Sequence, residues 1–131
     1  LHCLFLDRKD IKQGLKTILT AVDKVKSGIS ICIFPEGTRN KNTDDLDMLP
    51  FHEGSFKIAT KTKCPIIPIA INNSADIFEA HFPKIRPAKV VVEYGKPIYP
   101  DELDKETKKH LGEYTQGIIH QMLEKNKSLT Q

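Results

Sequence analysis

Hydrophobic residues lie along the chain in short apolar runs separated by a segment with helical spacing. The runs CLFL (3–6) and ISICIF (29–34) are bounded by turn-forming residues, which favours two buried strands. Between them, apolar residues recur every three or four positions over 11–25, which predicts a helix with Asp10 as N-cap and Gly28 as its stop. This order predicts one βαβ unit with parallel strands and a right-handed crossover.

The rest of the chain continues the alternation of helices and strands. The segment FHEGSFKIATKTK (51–63) predicts a second helix, and a final helix is expected behind Asp101. IIPIAI (66–71) and KVVVEYG (89–95) predict two more strands. Alternating elements are typical of an α/β fold, so we expect a mainly parallel sheet with flanking helices. Ligands of such sheets bind beyond the carboxyl ends of the strands.

Composition and charge narrow the classes of function. The 131 residues are 39% hydrophobic and 28% charged, which is typical of a folded domain. The formal net charge of +3 is only mildly basic, and no stripe of Lys and Arg is interleaved with aromatic residues. Nucleic acid is therefore not an expected partner. No stretch of sequence reaches the ~18 consecutive apolar residues of a membrane span, so any contact with lipid is expected from outside the bilayer.

Candidate chemistry lies in FPEGTRN (34–40), directly after the second predicted strand. Gly37 permits a turn with positive φ, while Thr38 and Arg39 add a hydroxyl and a planar fork of donors. Backbone N–H groups that turn inward beside an arginine form an anion pocket of the kind that holds phosphate. The alternative is that Glu36 and Arg39 form a surface ion pair worth at most about 1 kcal/mol.

FPEGTRN resembles the third signature block of the glycerolipid acyltransferase family, whose typical member makes phosphatidic acid from lysophosphatidic acid. CLFLDR (3–8) is similar to the second block, and FHEGSFKIA (51–59) fits the helix that follows the third. CPIIPIAI (64–71) is similar to the fourth block, in which paired prolines interrupt an apolar strand. The close resemblance covers residues 3–71, and the agreement of several blocks in order makes it specific.

The resemblance implies roles for residues of two blocks. Arg39 is expected to clamp the phosphate of the acceptor, with Gly37 and Thr38 shaping the loop around it. Glu36 is expected to hold the acceptor or to brace the loop. Arg8 is expected to be a second cation for the phosphate, with a solvated loop arginine as the alternative.

Two prolines of the fourth block are the remaining candidate site residues. By the resemblance, Pro65 and Pro68 shape the strand beside the acyl and glycerol site. Plain strand termination explains both prolines equally well, because proline cannot donate to a β-ladder.

The activity that the resemblance implies is acyl transfer in phospholipid synthesis. A fatty acyl group would pass from acyl-CoA or acyl carrier protein to the free hydroxyl of lysophosphatidic acid, giving phosphatidic acid. The direct attack of a hydroxyl on a thioester implies no metal and no other cofactor. A membrane surface is an expected partner. The expected location is the cytoplasmic face of a membrane, with peripheral attachment or an anchor in a preceding part of the protein.

The stretch HCLFLD (2–7) matches the formula of the family's first block, in which an aspartate orients a histidine base. We reject this match because the intervening residues are strand material and Asp7 already fits the second block. Five strand steps of about 3.3 Å would separate His2 and Asp7 by roughly 16 Å, on opposite faces. A hydrogen bond needs about 2.6–3.2 Å. We therefore expect residues 1–131 to be the carboxyl-terminal part of one acyltransferase domain, truncated at its amino-terminal side and inactive alone without the His-Asp pair.

Two other classes of protein fit part of the sequence. A noncatalytic anion- or phospholipid-binding α/β fragment would keep the FPEGTRN pocket without any chemistry. An α/β nucleotide-binding domain is disfavoured because no GxGxxG or GxxxxGK[ST] motif follows a predicted strand. The acyl donor stays open, as does the choice of acceptor among lysophosphatidate, glycerol 3-phosphate and other lysophospholipids.

Overall fold

A computed structural model describes residues 3–4 and 9–130 of the chain. The helices of this described part are α1 (Ile11–Lys26), α2 (Glu53–Thr62), α3 (Lys105–Lys109) and α4 (Leu111–Asn126). Its strands are β1 (Ile69–Asn72) and β2 (Val91–Tyr94). Short 3-10 turns occupy Ser74–Ile77, Glu79–His81, Pro100–Glu102 and Lys127–Thr130.

The strands β1 and β2 pair antiparallel, so the prediction of a mainly parallel sheet is wrong for the described residues. Ile69 lies opposite Tyr94, and a further antiparallel bridge joins Ile66 to Ile98. Pro68 interrupts the pairing between them because it has no N–H to donate. A parallel pair needs a long crossover, usually a helix, whereas the segment between β1 and β2 contains only 3-10 turns and returns the chain in the opposite direction.

The predicted strand 29–34 is not a strand in the structure, which is a second correction. Ile33 is 40% exposed and Phe34 is 77% exposed. A strand needs neighbours for its backbone N–H and C=O groups, and the described residues place no strand beside this segment. Its predicted neighbour, 3–6, lies partly outside the described residues, so the βαβ unit stays a prediction.

α1 forms where the sequence predicts it because its two ends are satisfied locally. The Asp10 carboxylate accepts from two amides of the first turn, at 3.0 and 3.2 Å. At the other end Gly28 has a φ of +97°. The amides of Gly28 and Ile29 then donate to carbonyls of the last turn, at 3.0 and 3.1 Å. The predicted cap and the predicted stop are both confirmed.

The last helical region differs from its prediction. Asp101 lies in a 3-10 turn, and the residue that caps a helix is Asp104, which accepts from the N–H of Thr107 at 3.3 Å in α3. The predicted cap was wrong because two aspartates three residues apart give the same local signal.

Three small apolar clusters of described residues connect these elements. Their buried members are Ala21, Val22 and Ile58 between α1 and α2, then Phe56, Ile98 and Leu111 between α2 and α4, then Ala70, Met122 and Leu123 between β1 and α4. Ile118 of α4 packs against both the second and the third cluster. α4 is therefore the element that connects α2 to the sheet.

Replacing Gly28 by Ala should lower the free energy of unfolding by about 1–2 kcal/mol, because a Cβ disfavours the left-handed backbone. No atom lies within 4 Å of the added Cβ, so the cost comes from the backbone alone. Gly117→Ala in α4 is the matched control, since its Cβ also meets nothing within 4 Å. It should instead stabilise by about 0.8–1 kcal/mol through helix propensity. Urea unfolding measures the free energy of unfolding of both variants. If both substitutions changed it in the same direction, the left-handed backbone at Gly28 would be contradicted.

Candidate functional site

The segment 34–40 begins with a tight turn. The N–H of Gly37 donates to the carbonyl of Phe34 at 3.0 Å, and the φ of Gly37 is +70°. Only glycine adopts such a positive φ, in the left-handed region, without a steric cost. The backbone beyond the turn, with Thr38 and Arg39, is exposed to solvent.

Glu36 braces this turn against the chain that leads into α2. Its Oε2 accepts from the N–H of Leu49 at 2.8 Å in partly buried surroundings. The carbonyl of Pro35 accepts from the N–H of His52 at 2.9 Å. Oε2 of Glu36 is thus occupied by a backbone donor, which fits a brace for the loop, while contact between Glu36 and the acceptor stays a prediction.

Arg39 carries an exposed guanidinium without a protein partner in the described part of the chain. The alternative ion pair with Glu36 is not formed. Arginine presents a planar fork of donors that matches phosphate geometry. Within the described part of the chain, its guanidinium therefore has the chemistry and the exposure to bind an anion.

Hydrogen bonds to α4 hold the chain that leads into α2. Glu53, the first residue of α2, accepts from two amides of the first turn of α4, including that of Gly112 at 2.9 Å. A Cβ on Gly112 would lie 2.5 Å from Oε1 of Glu53, so a larger residue there would force this carboxylate to move away from the amides that it caps. Gln116 of α4 donates to the carbonyl of Leu49 at 3.1 Å. Glu53 thus supplies the side-chain cap that His110, the N-cap residue of α4, does not.

His52 and Glu53 are functional candidates that sequence reasoning missed. A Cβ built on Gly37 would lie 2.9 Å from Cδ2 and 3.0 Å from Nε2 of His52, so the imidazole lies directly on the turn. Neither contact leaves a periodic pattern, because the partners are far apart along the chain. The one available signal is a polar pair at the start of a predicted helix, where caps and first-turn carboxylates belong.

The two prolines of the predicted acyl and glycerol site occupy different surroundings. Pro68 is fully buried, its carbonyl accepts from the N–H of Gly95 at 2.8 Å, and a Cβ on Gly95 would lie 2.8 Å from its ring. Pro65 is exposed. The burial of Pro68 fits strand interruption and core packing, and a role of either proline at a substrate stays a prediction.

Several residues of the sequence argument lie outside the described residues. Arg8 is among them, so its predicted convergence with Arg39 stays a prediction. His2 and Asp7 of HCLFLD are also among them, and their separation is not tested.

A histidine–aspartate pair of a different kind occurs between β1 and β2. Nε2 of His81 lies 2.8 Å from Oδ1 of Asp76, and the two residues belong to consecutive 3-10 turns. The aspartate precedes the histidine, the reverse of the order in the family's first block. No described hydrogen bond joins this pair to 34–40. The pair therefore fastens one turn to the next.

Other features of the described residues give no competing site. A cleft of about 500 Å³ lies beside α4, with Tyr99, Leu103 and Tyr114 in its walls, but none of the predicted site residues lines it. The described residues contain no group of three or more His, Cys, Asp and Glu side chains placed to hold a metal ion.

Comparison with known proteins gives matches in both sequence and structure. The family model described as Acyltransferase matches residues 1–72, more than half of the 131-residue chain. A 1-acyl-sn-glycerol-3-phosphate acyltransferase of Saccharomyces cerevisiae is 31% identical over 126 residues, which cover 95% of this chain and 40% of that protein. A protein of the same name from Cocos nucifera is 33% identical over 106 residues, covering 81% of this chain and 33% of that protein.

The structural match extends beyond the residues that the family model covers. The crystal structure of the 1-acyl-sn-glycerophosphate (LPA) acyltransferase from Thermotoga maritima superposes with a TM-score of 0.74 and 27% sequence identity. The match covers 88% of this chain and 46% of that chain. The present chain thus spans less than half the length of these similar proteins.

Gly37→Ala should destabilise the protein more than Gly28→Ala does. Both substitutions place a Cβ on a backbone with positive φ, a cost of about 1–2 kcal/mol. Only at Gly37 does the Cβ also collide with His52, at 2.9 Å. Urea unfolding of the two variants, with amide NMR spectra of 49–52, measures the difference. Equal losses, with unchanged amides in that range, would show that the imidazole does not lie on the turn.

Glu53→Ala should remove the cap of α4 and loosen the site segment together. The expected loss is about 0.5–2 kcal/mol, as for other helix caps. Asp104→Ala is the matched control because it removes the cap of α3 instead. Only Glu53→Ala should shift the amide resonances of Leu49 and His52. A similar shift in both variants would contradict the connection through Glu53.

Proposed function

Because the chain belongs to the acyltransferase family, we propose that the protein containing it transfers a fatty acyl group to lysophosphatidic acid and makes phosphatidic acid. The names of the similar proteins support this acceptor, since they are called 1-acyl-sn-glycerol-3-phosphate acyltransferases. The donor is a thioester, either acyl-CoA or acyl carrier protein. The chain spans less than half of those proteins, so the activity is proposed for the whole protein.

The observation that carries the proposal is the braced turn beside Arg39, whose guanidinium has no partner among residues 3–4 and 9–130. Arg39 binds the acceptor phosphate through its fork of donors, and Gly37 with Thr38 shapes the backbone around the same anion. Glu36 keeps the turn in place through its 2.8 Å bond to Leu49. Charge-assisted hydrogen bonds of this kind contribute about 1.5–3 kcal/mol each.

The reaction requires a base in addition to the phosphate site. The acceptor hydroxyl gives its proton to the base as its oxygen attacks the carbonyl carbon of the thioester. The carbon–sulfur bond then breaks, and the base returns the proton to the leaving sulfur, which departs as the free thiol. A positioned histidine base contributes typically 10²–10⁴-fold. We propose that this base is the His-Asp pair of the family's first block and that the 131-residue chain alone is inactive. The His81–Asp76 pair is not proposed as the base, because no described hydrogen bond joins it to 34–40 and its order along the chain is the reverse of that in the first block.

The amphiphilic acceptor places the proposed reaction at a membrane surface. We propose the cytoplasmic face, because acyl-CoA and acyl carrier protein are soluble cytoplasmic donors. Among the described residues, no helix has the length and apolar character needed to cross a bilayer. We propose contact with the membrane through the periphery of the protein or through parts of it outside this chain. Arg8 is proposed as a second cation for the phosphate.

In the whole protein, Arg39→Ala should lower kcat/KM for lysophosphatidic acid roughly 10–150-fold. Arg39→Lys should also impair the acceptor because it keeps the charge but loses the planar fork. KM for the acyl donor should hardly change. Steady-state rates of thiol release, with the acceptor and donor concentrations varied separately, give kcat/KM for the acceptor and KM for the donor.

Arg86→Ala is the matched control because it removes another exposed arginine. It should leave both kinetic constants near those of the unchanged protein. Equal damage to acceptor and donor kinetics by Arg39→Ala would indicate a collapsed loop, and normal kinetics would remove Arg39 from the site. A protein that binds lysophosphatidic acid through Arg39 without thiol release would instead be the noncatalytic phospholipid-binding alternative.

A further inference from the structure

We propose that the imidazole of His52 binds the acceptor phosphate together with Arg39, an inference that rests on the function proposed for 34–40. Three features of His52 carry it. The ring contacts the turn at Gly37, its nitrogens have no partner among the described residues, and its backbone is fixed on both sides.

The contact with Gly37 places a ring nitrogen at the turn itself. A Cβ on that residue would lie 3.0 Å from Nε2 of His52, so the imidazole occupies the space that a side chain would fill. Arg39 follows two residues later, and two residues span at most about 7 Å. The Cα atoms of Gly37 and Arg39 are therefore close enough for the long arginine side chain and the imidazole of His52 to contact one phosphate beside the turn.

Within the described part of the chain, the ring nitrogens of His52 are open to a ligand. Among residues 3–4 and 9–130 no group forms a hydrogen bond or ion pair with them. By contrast, His81 lies 2.8 Å from Asp76, and His110 lies 3.7 Å from Glu106. An imidazole can donate from Nε2 as one neutral tautomer or as the imidazolium. A hydrogen bond from a charged donor to a phosphate is about twice as strong as a hydrogen bond between two neutral groups.

The backbone of His52 is fixed before any ligand arrives. Its N–H donates to Pro35 at 2.9 Å, and the next residue, Glu53, is held to Gly112 of α4 at 2.9 Å. Binding then does not have to order this part of the chain, which lowers its entropic cost. α2 begins at the next residue, Glu53, so the partial positive charge of a helix N-terminus lies close to His52.

The test compares three variants of the whole protein. His52→Ala removes the ring, and His52→Phe keeps a ring on Gly37 but removes both nitrogens. His110→Ala is the matched control, because His110 is also the N-cap residue of a helix and also makes no side-chain cap bond. The measurements are KM for lysophosphatidic acid, KM for the acyl donor, and the Kd for glycerol 3-phosphate by calorimetry.

His52→Phe should raise the acceptor KM and the Kd for glycerol 3-phosphate about tenfold or more, as the loss of a hydrogen bond to a charged group does. The donor KM should stay unchanged, and His110→Ala should match the unchanged protein. If His52→Phe keeps the affinity that His52→Ala loses, the ring only packs on the turn and the proposal is wrong. Equal effects of His52→Phe and His110→Ala overturn it as well.

Arg39→Ala separates a failure of this proposal from a failure of the proposed function. If Arg39→Ala weakens glycerol 3-phosphate binding and His52→Phe does not, the turn remains a phosphate site and only His52 leaves it. If neither substitution weakens binding, the phosphate site itself is not at 34–40, and both proposals are overturned.

Discussion

The hydrogen bond from the N–H of Leu49 to the carboxylate of Glu36 is the constraint on which the site depends. A turn with exposed residues on its far side would otherwise be free to move, because little of it is buried. A bond between a backbone amide and an ionised carboxylate in partly buried surroundings contributes about 1.5–3 kcal/mol. A second hydrogen bond, from the N–H of His52 to the carbonyl of Pro35, also holds the turn. Two bonds thus hold the backbone around Gly37 in one arrangement.

The start of α2 is itself held by α4, so the site is connected to the core. Glu53 satisfies amides at the beginning of α4 that no residue of that helix caps, and it does so with a charge of the sign that a helix N-terminus favours. Leu111, the next residue of α4 after its N-cap, is almost completely buried beside Phe56. A displacement of α4 would therefore move the carboxylate of Glu53 and, with it, the imidazole that lies on the turn.

The sequence predicts the features that depend on a few neighbouring residues. The cap at Asp10, the stop at Gly28 and the turn at Gly37 follow from local chemistry, and the structure contains all three. The direction of strand pairing was predicted wrongly because an apolar run specifies burial and not its partner. The cap from Glu53 to Gly112 joins residues 59 positions apart and has no local pattern. The family match covers FPEGTRN, whereas the residues that brace this turn were visible only in the folded chain.

The contact between Glu53 and Gly112 also determines how this site could be exchanged between related proteins. Transferring FPEGTRN alone into another scaffold would move the turn without the segment that holds it. A graft that extends through the start of α2 would also need a glycine at the position of Gly112 to keep this cap, because the Cβ of a larger residue would lie 2.5 Å from the carboxylate and displace it. The smallest exchangeable unit is therefore discontinuous: the turn, the beginning of α2, and the first turn of α4.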